Sequence, residues 1–390
     1  MNDIDVLIIG GGIHGAGVAQ AAAARGYSVR LLEKSAIASG TSSRSSKLIH
    51  GGLRYLESAQ FALVRECLHE RSVLLKIAPH LVKLRPFYIP VYKETGRRPW
   101  QIRSGLTLYA LLAGLDRHAR YQKLSSDKWS GLDGLKTAGL QAVYRYYDAQ
   151  TDDAALTRAV MQSARNLGAE LCMPAELIGA KLENNGSIVA YRYQQQEYEC
   201  RAGVIVNAAG PWVNSVLEKI TPPVTAIAID LVQGTHILVD GVVEQGLYYL
   251  EAPQDKRAVF VMPWKNRVLV GTTETVFRDN PDRVEPLPAE IHYLVETLAY
   301  YFPGYQGLAP SEIRTAFAGL RVLPRSGSSA FFRSRETILQ TDRPDKPRLV
   351  NIYGGKLTAY RITAEKVLNR LADILPQARV TGDTSTITLP

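Results

Sequence analysis

The chain opens on an apolar run, Val6-Leu7-Ile8-Ile9, that gives way to Gly10-Gly11-Gly12 and then to a small-residue-rich stretch from Ala16 to Arg25. An unbroken apolar run bounded by glycines predicts a strand buried on both faces, and the small residues predict a helix lying close on its sheet. Gly26 ends that helix, and Tyr27-Ser28-Val29-Arg30-Leu31-Leu32 supplies a second strand. Between Tyr55 and Ala78 the spacing changes to a helical one. Phe61, Val64, Leu68 and Leu75 share one face, Glu66, Glu70, Arg71 and Lys76 fall largely elsewhere, and Pro79 ends the amphipathic helix. Pro86, Pro90 and Pro99 then predict an irregular stretch to about Trp100, where a new domain begins.

A second helical pattern, Asp152 to Gly168, leads into Ala169-Glu170-Leu171-Cys172-Met173. Gly203 to Gly210 repeats the form of a buried strand ending in small residues, which returns the chain to the first sheet. From Ile227 to Thr273 the texture is that of strands: Ile237-Leu238-Val239, Val259-Phe260-Val261-Met262 and Val268-Leu269-Val270, the last two joined by a turn at 263–267. They predict a mostly antiparallel sheet. Leu349 to Tyr353 is a further strand, Gly354-Gly355 a turn, and Leu357 to Leu375 a helix with Ile362, Val367, Leu368, Leu371 and Ile374 inward. This order implies an α/β fold, α+β overall: a Rossmann-like dinucleotide domain from residues 1–80, 145–215 and 336–380, with an inserted substrate domain from 81–144 and 216–335.

Composition narrows the class. With 390 residues, 46% hydrophobic and 21% charged, the chain is that of a folded protein with room for two domains. Cys67, Cys172 and Cys200 form no C-x-x-C pair, which argues against disulfides and against zinc or iron–sulfur sites. The acidic start, Met1-Asn2-Asp3-Ile4-Asp5, runs directly into the first strand and leaves no room for a secretory signal, so the expected place is the cytoplasm, peripheral on the inner face of its membrane. The longest apolar segment, Gly105 to Leu115, is flanked by Arg97, Arg98, Trp100 and Arg103 before it and Arg117 and Arg120 after it. It suits a membrane surface or a buried helix of the second domain equally. A net charge of +9 suits an anionic membrane or substrate, and no basic run or RNA-binding motif points to nucleic acid.

Strand, glycines, helix, strand and acid in this order mark a dinucleotide site. Gly10, Gly12 and Gly15 allow a tight turn and a pyrophosphate against the N–H groups at Ile13 and His14, while Glu33 arrives where ribose hydroxyls lie. That motif alone serves NAD and FAD alike. The hydroxyl-rich loop Gly40-Thr41-Ser42-Ser43-Arg44-Ser45-Ser46-Lys47 adds partners for a second set of phosphate and ribitol oxygens, which FAD has. Gly354-Gly355 would open the last helix toward a flavin carbonyl.

At these residues the chain resembles a known family. The stretch from Thr41 through His50-Gly51-Gly52-Leu53-Arg54-Tyr55 to Leu56 closely resembles the signature of FAD-dependent glycerol-3-phosphate dehydrogenases, within the D-amino-acid-oxidase-like superfamily. Asn207-Ala208-Ala209-Gly210-Pro211-Trp212-Val213, Gly271-Thr272-Thr273, Gly319-Leu320-Arg321 and Tyr353 to Arg361 are similar to the family's later motifs, in the same order. The resemblance spans essentially the whole chain.

It implies oxidation of sn-glycerol 3-phosphate to dihydroxyacetone phosphate by hydride transfer to flavin N5, with electrons passed to a membrane quinone, and a homodimer as a candidate assembly. For FAD it implies contacts at Gly10, Gly12, Ile13, His14, Gly15, Glu33, Lys34, Thr41, Ser42, Ser43, Ser46, Leu48, His50, Gly51, Gly52 and Ala175. Ala208, Gly210, Trp212, Arg321, Gly354, Gly355, Lys356, Leu357 and Thr358 complete that set. A phosphate dianion wants fixed cations and bidentate forks, which Arg54, Arg321, Arg335 and Lys356 supply. Tyr55 and Thr272 are candidates to hydrogen-bond the substrate. His50 is the candidate base, with a structural role in its glycine turn as the alternative, and Arg54 and Lys356 complete the catalytic set. The chain is expected to lack the further C-terminal helical domain of many members, and Glu274 stands where the family usually has Asp. An oxidase using oxygen, a flavoenzyme acting on another hydroxy acid or amine, and a non-catalytic flavoprotein are the competing readings.

Overall fold

In the computed structural model, which describes residues 3–114, 116–325 and 336–390, the opening apolar run becomes the middle strand of a mostly parallel sheet, Asp3–Ile9. Val29–Leu32 and Gln196–Asn207 flank it in parallel, with Glu170–Cys172 beyond the first and Leu349–Tyr353 beside the end of the second. Val6 and Ile8 face one core and Leu7 and Ile9 the other, so alternate residues are buried on opposite faces. That two-sided burial explains a run with no polar residue in it.

The helices are α1 (Ile13–Ala24), α2 (Phe61–Ile77), α3 (Pro99–Leu112), α4 (Asp153–Asn166), α5 (Val213–Leu217), α6 (Pro288–Tyr301) and α7 (Tyr360–Leu371). α1 is rich in alanine and glycine and largely buried, packed between α4 and α7 on one face of the sheet. The opposite face is covered by an antiparallel meander, Ala175–Glu183, Gly186–Tyr193 and the start of Gln196–Asn207, which the sequence pattern did not separate.

The second sheet contains Val82–Tyr92, Leu140–Thr151, Ile229–Val239, Leu247–Glu251, Ala258–Trp264, Arg267–Gly271 and Thr315–Pro324. Its pairings are antiparallel apart from Leu247–Glu251 beside Val82–Tyr92. Leu48–Ile49, which follows the hydroxyl-rich loop, also joins this sheet, so the loop passes from one sheet to the other. α6 covers one face and α2 and α3 the other.

Three expectations are corrected. The stretch with Pro86 and Pro90 is an eleven-residue strand. Its ladder to Leu140–Thr151 runs through both prolines, which share one parity, so their nitrogens face the other side, where Leu247–Glu251 pairs only at Phe87 and Tyr88. Glu70 and Arg71 of α2 are buried rather than on a solvated face, because each meets an opposite charge from another element. The last helix begins at Tyr360: Gly354 and Gly355 adopt φ of +72° and +104°, which no right-handed helix continues, and the chain needs several more residues to turn. α3 packs as a helix of the second domain, with Ile102, Leu106, Tyr109 and Ala110 buried, while Trp100 is 67% and Leu111 55% exposed. No helix of the described residues is long and apolar enough to cross a membrane.

Arg361 on α7 makes a two-pronged pair with Glu70 on α2, Nε to Oε2 at 2.9 Å and Nη2 to Oε1 at 2.6 Å. Arg361→Ala would strand the Glu70 charge in the core and is expected to cost about 3–5 kcal/mol of unfolding free energy, whereas leucine at both positions recovers most of it. Urea unfolding of the two variants checks this; an unchanged midpoint for Arg361→Ala would reject it.

Candidate active site

A cavity of about 870 Å³ lies between the sheets and takes its walls from both. At one end the first strand turns through Gly10, whose φ of +104° suits glycine and where a Cβ would fall 2.8 Å from the Ala208 carbonyl oxygen. α1 starts at Gly12 with no side-chain cap, so its first N–H groups belong to the cavity end of the helix. Glu33, at the end of the second strand, accepts from Gly11 N at 2.6 Å with one oxygen and from Ser35 N at 2.8 Å with the other. Ser42 Oγ accepts from Ile13 N at 2.9 Å and brings the hydroxyl-rich loop onto the helix end. Lys34 pairs with Asp282 at 2.7 Å and lies 4.2 Å from the Trp212 ring centroid, joining the two halves across this end.

The loop itself is held from behind by Asp153, the buried first residue of α4. Ser45 N and Oγ donate to Oδ2 at 2.9 and 2.7 Å, and Lys47 Nζ donates to Oδ1 at 2.7 Å. Thr41 Oγ1 donates to Leu320 O and Arg44 to Ala318 O, fixing the loop to the strand that carries Arg321. Ser46 Oγ is 2.9 Å from His236 Nε2.

At the other end are the charged groups. Glu274 Oε1 is 2.8 Å from Arg321 Nη1 and 3.8 Å from Arg54 Nη2, so one carboxylate gathers both arginines. Arg321 also donates to Thr273 O at 2.8 Å. Lys356 Nζ sits 3.7 Å from the Tyr55 ring centroid. The 272–275 segment is fixed by Glu290 of α6, which accepts from Thr273, Thr275, Thr235 and Gln233 at 2.6–2.8 Å. Burial alone would raise the Glu290 carboxyl; the threonine hydroxyls and the Leu287 N–H bring it below its ordinary value. His50 N donates to Thr358 Oγ1 at 3.1 Å, which ties its turn to the 354–358 segment.

The residues expected at a cofactor or substrate line this cavity, with four exceptions. Gly15 stands behind the wall, packed so closely on Gly10 that a Cβ would lie 1.9 Å from its carbonyl oxygen. Ser43 turns its hydroxyl to Gly40 O, Gly51 turns toward Tyr109 and Leu68, and Arg335 lies outside the described residues. The segment 354–358 is part of the wall while α7 is not, so the helix end proposed for a flavin carbonyl is replaced by the turn before it. His236, Tyr249, Phe260 and the supports Asp153 and Glu290 went unforeseen. The one signal in the sequence is Gln233-Gly234-Thr235-His236, a polar and glycine run in the middle of a strand that is apolar on both sides of it, at Leu231-Val232 and Ile237-Leu238-Val239.

Of two wall histidines, His236 is buried and His14 is half-buried in the cavity wall. Burial pushes His14 down to about 4, and burial followed by the charges of Lys47 and Arg321 pushes His236 down to about 3, so both are neutral at physiological pH. Their Nδ1 atoms and Trp212 Nε1 have no hydrogen-bond partner among the described residues. A long wall, largely apolar but carrying a helix N-terminal end, hydroxyls and orphaned ring nitrogens, fits a ligand of the size and mixed polarity of FAD.

The chain matches the family model described as FAD dependent oxidoreductase over residues 5–365. It is 37% identical over 380 residues to D-erythritol 1-phosphate dehydrogenase of Brucella abortus, covering 96% of this chain and 74% of that protein. With glycerol-3-phosphate dehydrogenase of Pseudomonas aeruginosa it shares 38% identity, over 94% of this chain and 71% of the other. The solved glycerol-3-phosphate dehydrogenase of Bacillus halodurans, complexed with FAD, superposes with a TM-score of 0.76 at 26% identity, over 100% of this chain and 68% of that one.

These two histidines carry a pH signature. Both folded values lie below the ordinary 6.5, so as pH falls through 6.5 the unfolded chain takes up protons first. Stability from these groups is therefore complete above pH 6.5 and is lost progressively toward pH 4. The unfolding free energy should fall between pH 6.5 and 5 with a slope that His236→Gln reduces by about one proton. Denaturant titrations at four pH values measure it, and an identical slope in the variant would contradict the assignment.

Proposed function

Because the chain belongs to the FAD-dependent oxidoreductase family, we propose that it oxidises the secondary hydroxyl of sn-glycerol 3-phosphate to dihydroxyacetone phosphate and passes the electrons to a membrane quinone. The observation that carries this reading is the gathering of Arg54 and Arg321 on one carboxylate in the same cavity as His50 and Lys356. Two guanidinium forks and an ammonium meet the needs of a phosphate dianion. Thr272 and Tyr55 stand beside them to hydrogen-bond the substrate. His50 accepts the hydroxyl proton as the C–H bond breaks, its turn being held by Thr358.

FAD, when bound, takes up the hydride equivalent from the carbon. Gly10 to His14 and the α1 end would hold its pyrophosphate, Glu33 its ribose, Thr41 to Ser46 its phosphate and ribitol oxygens, and Gly354 to Thr358 its ring. Residues 1–80, 145–215 and 336–380 then form the FAD-binding domain and 81–144 with 216–335 the substrate domain. The exposed Trp100 and Leu111 of α3, beside Arg98 and Arg103, supply a surface for an anionic membrane where a quinone would be met.

A second substrate, a four-carbon polyol phosphate, is favoured by the Brucella relative's name and by Glu274 in place of the usual Asp. Anaerobic addition of sn-glycerol 3-phosphate should bleach the bound FAD, while glycerol and amino acids leave it yellow. Faster bleaching by erythritol 1-phosphate would select the second substrate, and no bleaching by either would overturn both.

Arg321→Ala is expected to raise KM at least about tenfold, since a charged hydrogen bond present in ground and transition states is lost. His50→Asn should lower kcat by about 10²-fold or more with FAD retained. Unchanged parameters would remove either residue from its role. Reduced enzyme should reoxidise faster with a quinone analogue than with air, and rapid peroxide formation would make it an oxidase instead.

A further inference from the structure

The turn His50-Gly51-Gly52 is gripped from two sides, and only Thr358 among the grips lies in the cavity wall. The other is a buried relay that the reaction itself does not use. Tyr109 Oη on α3 accepts from Gly51 N at 2.8 Å and donates to Asp148 Oδ2 at 2.7 Å. Asp148 Oδ1 lies 2.5 Å from Arg71 Nη1, which also donates to Tyr147 O at 2.9 Å. Arg71 and Asp148 are each 1% exposed, Tyr109 is equally buried, and none of the three lines the cavity.

Burying a charge pair and a phenol here is expensive, and the chain of bonds ends on a single backbone N–H of the site. Its direction is set by chemistry. A carboxylate only accepts, so Asp148 holds both the guanidinium hydrogen and the phenol hydrogen, and the phenol lone pair is left facing Gly51. Burial pushes the Tyr109 phenol far above its ordinary range, so it remains a donor to Asp148 at any working pH. Position 51 has room for this bond and nothing else, since a Cβ there would lie 2.5 Å from Tyr109 Oη and 2.7 Å from Leu68.

We propose that Tyr109, backed by Asp148 and Arg71, is a positioning residue: through the Gly51 N–H it fixes the backbone that aims the His50 imidazole into the cavity. The proposal rests on the reading of His50 as the proton acceptor, and the test separates the two.

Tyr109→Phe keeps the ring and removes only the hydroxyl. Flavin reduction by sn-glycerol 3-phosphate, followed anaerobically by stopped flow, should slow about tenfold, with apparent substrate affinity within about twofold and FAD still bound. In a His50→Asn background the same change should cost less than about twofold, because the group being positioned is gone. An equal loss in both backgrounds would overturn the positioning role. A His50→Asn enzyme as fast as wild type would overturn the reading of His50 and this inference with it.

A second readout needs no substrate. In protein labelled with 13C-histidine, the resonance lost in His50→Asn should shift in Tyr109→Phe while those of His14 and His236 stay; an unmoved His50 signal counts against the proposal. Tyr301→Phe, which removes another buried phenol donor at Glu251 O, should lower stability without slowing reduction. If Tyr109→Phe fails to fold, Arg71→Lys, which keeps the buried charge but alters the hold on Asp148, should shift the same resonance, and its failure to do so is equally decisive.

Discussion

Four buried carboxylates hold the loops that line the cavity, and the rest of the site depends on them. Loop backbone between two apolar cores has few ladder partners, so its polar groups need fixed acceptors in place of water. Glu33 serves the glycine turn, Asp153 the hydroxyl-rich loop, Asp148 the His50 turn through Tyr109, and Glu290 the segment of Thr272 to Glu274. Each accepts at least two hydrogen bonds, and the bonds to N–H and O–H groups are short, between 2.5 and 3.2 Å. A carboxylate suits this task better than an amide, because it presents acceptors only and cannot turn a donor toward the loop it holds.

This arrangement explains how a site drawn from distant parts of the chain stays assembled. Asp153 binds a loop more than a hundred residues earlier, Asp148 reaches Arg71 on a different helix, and Glu70 joins α2 to Arg361 on α7. The pairs are long-range in sequence and short in space, so each closes a large loop of chain. Removing one partner would leave a buried charge unmatched, which is why such positions are costly to alter even though none of Asp153, Asp148 or Glu70 faces the cavity.

What could be read from the sequence and what could not divides along the same line. The first strand, α1 and the second strand were legible because neighbours in sequence are neighbours in space there, and the glycine spacing is dictated by local backbone geometry at Gly10 and Gly15. The groups at the charged end of the cavity, Arg54, Tyr55, Thr272, Arg321 and Lys356, were reached through resemblance rather than periodicity. The supports were not legible. Glu70 and Arg71 fit a solvated face of α2 by spacing alone, and only their distant partners, Arg361 and Asp148, bury them. Pro86 and Pro90 signalled irregular chain because a proline says nothing of which side its missing N–H faces; the one-sided pairing of that strand made them harmless. His236 sits in a strand where Gln233 and Thr235 are buried too, and its place beside Ser46 depends on a contact 190 residues apart.

The charged end shows why the acid at position 274 matters to the proposed chemistry. Arg54 and Arg321 converge on one carboxylate, with Lys356 in the wall of the same cavity, and like charges gathered this way repel unless an anion lies among them. Glu274 supplies part of that balance while leaving the set net positive, so a phosphate dianion still finds an attractive field. The reach of the carboxylate is set by its extra methylene, and the segment it stands on is fixed by the Thr273 and Thr275 bonds to Glu290. A shorter acid on the same fixed backbone would fall back from Arg321 and, in the proposed reaction, shift the forks that receive the phosphate relative to His50. On the proposed reading, substrate length is thereby coupled to the length of one side chain through two arginines, because Glu290 denies the 272–275 segment the freedom to follow.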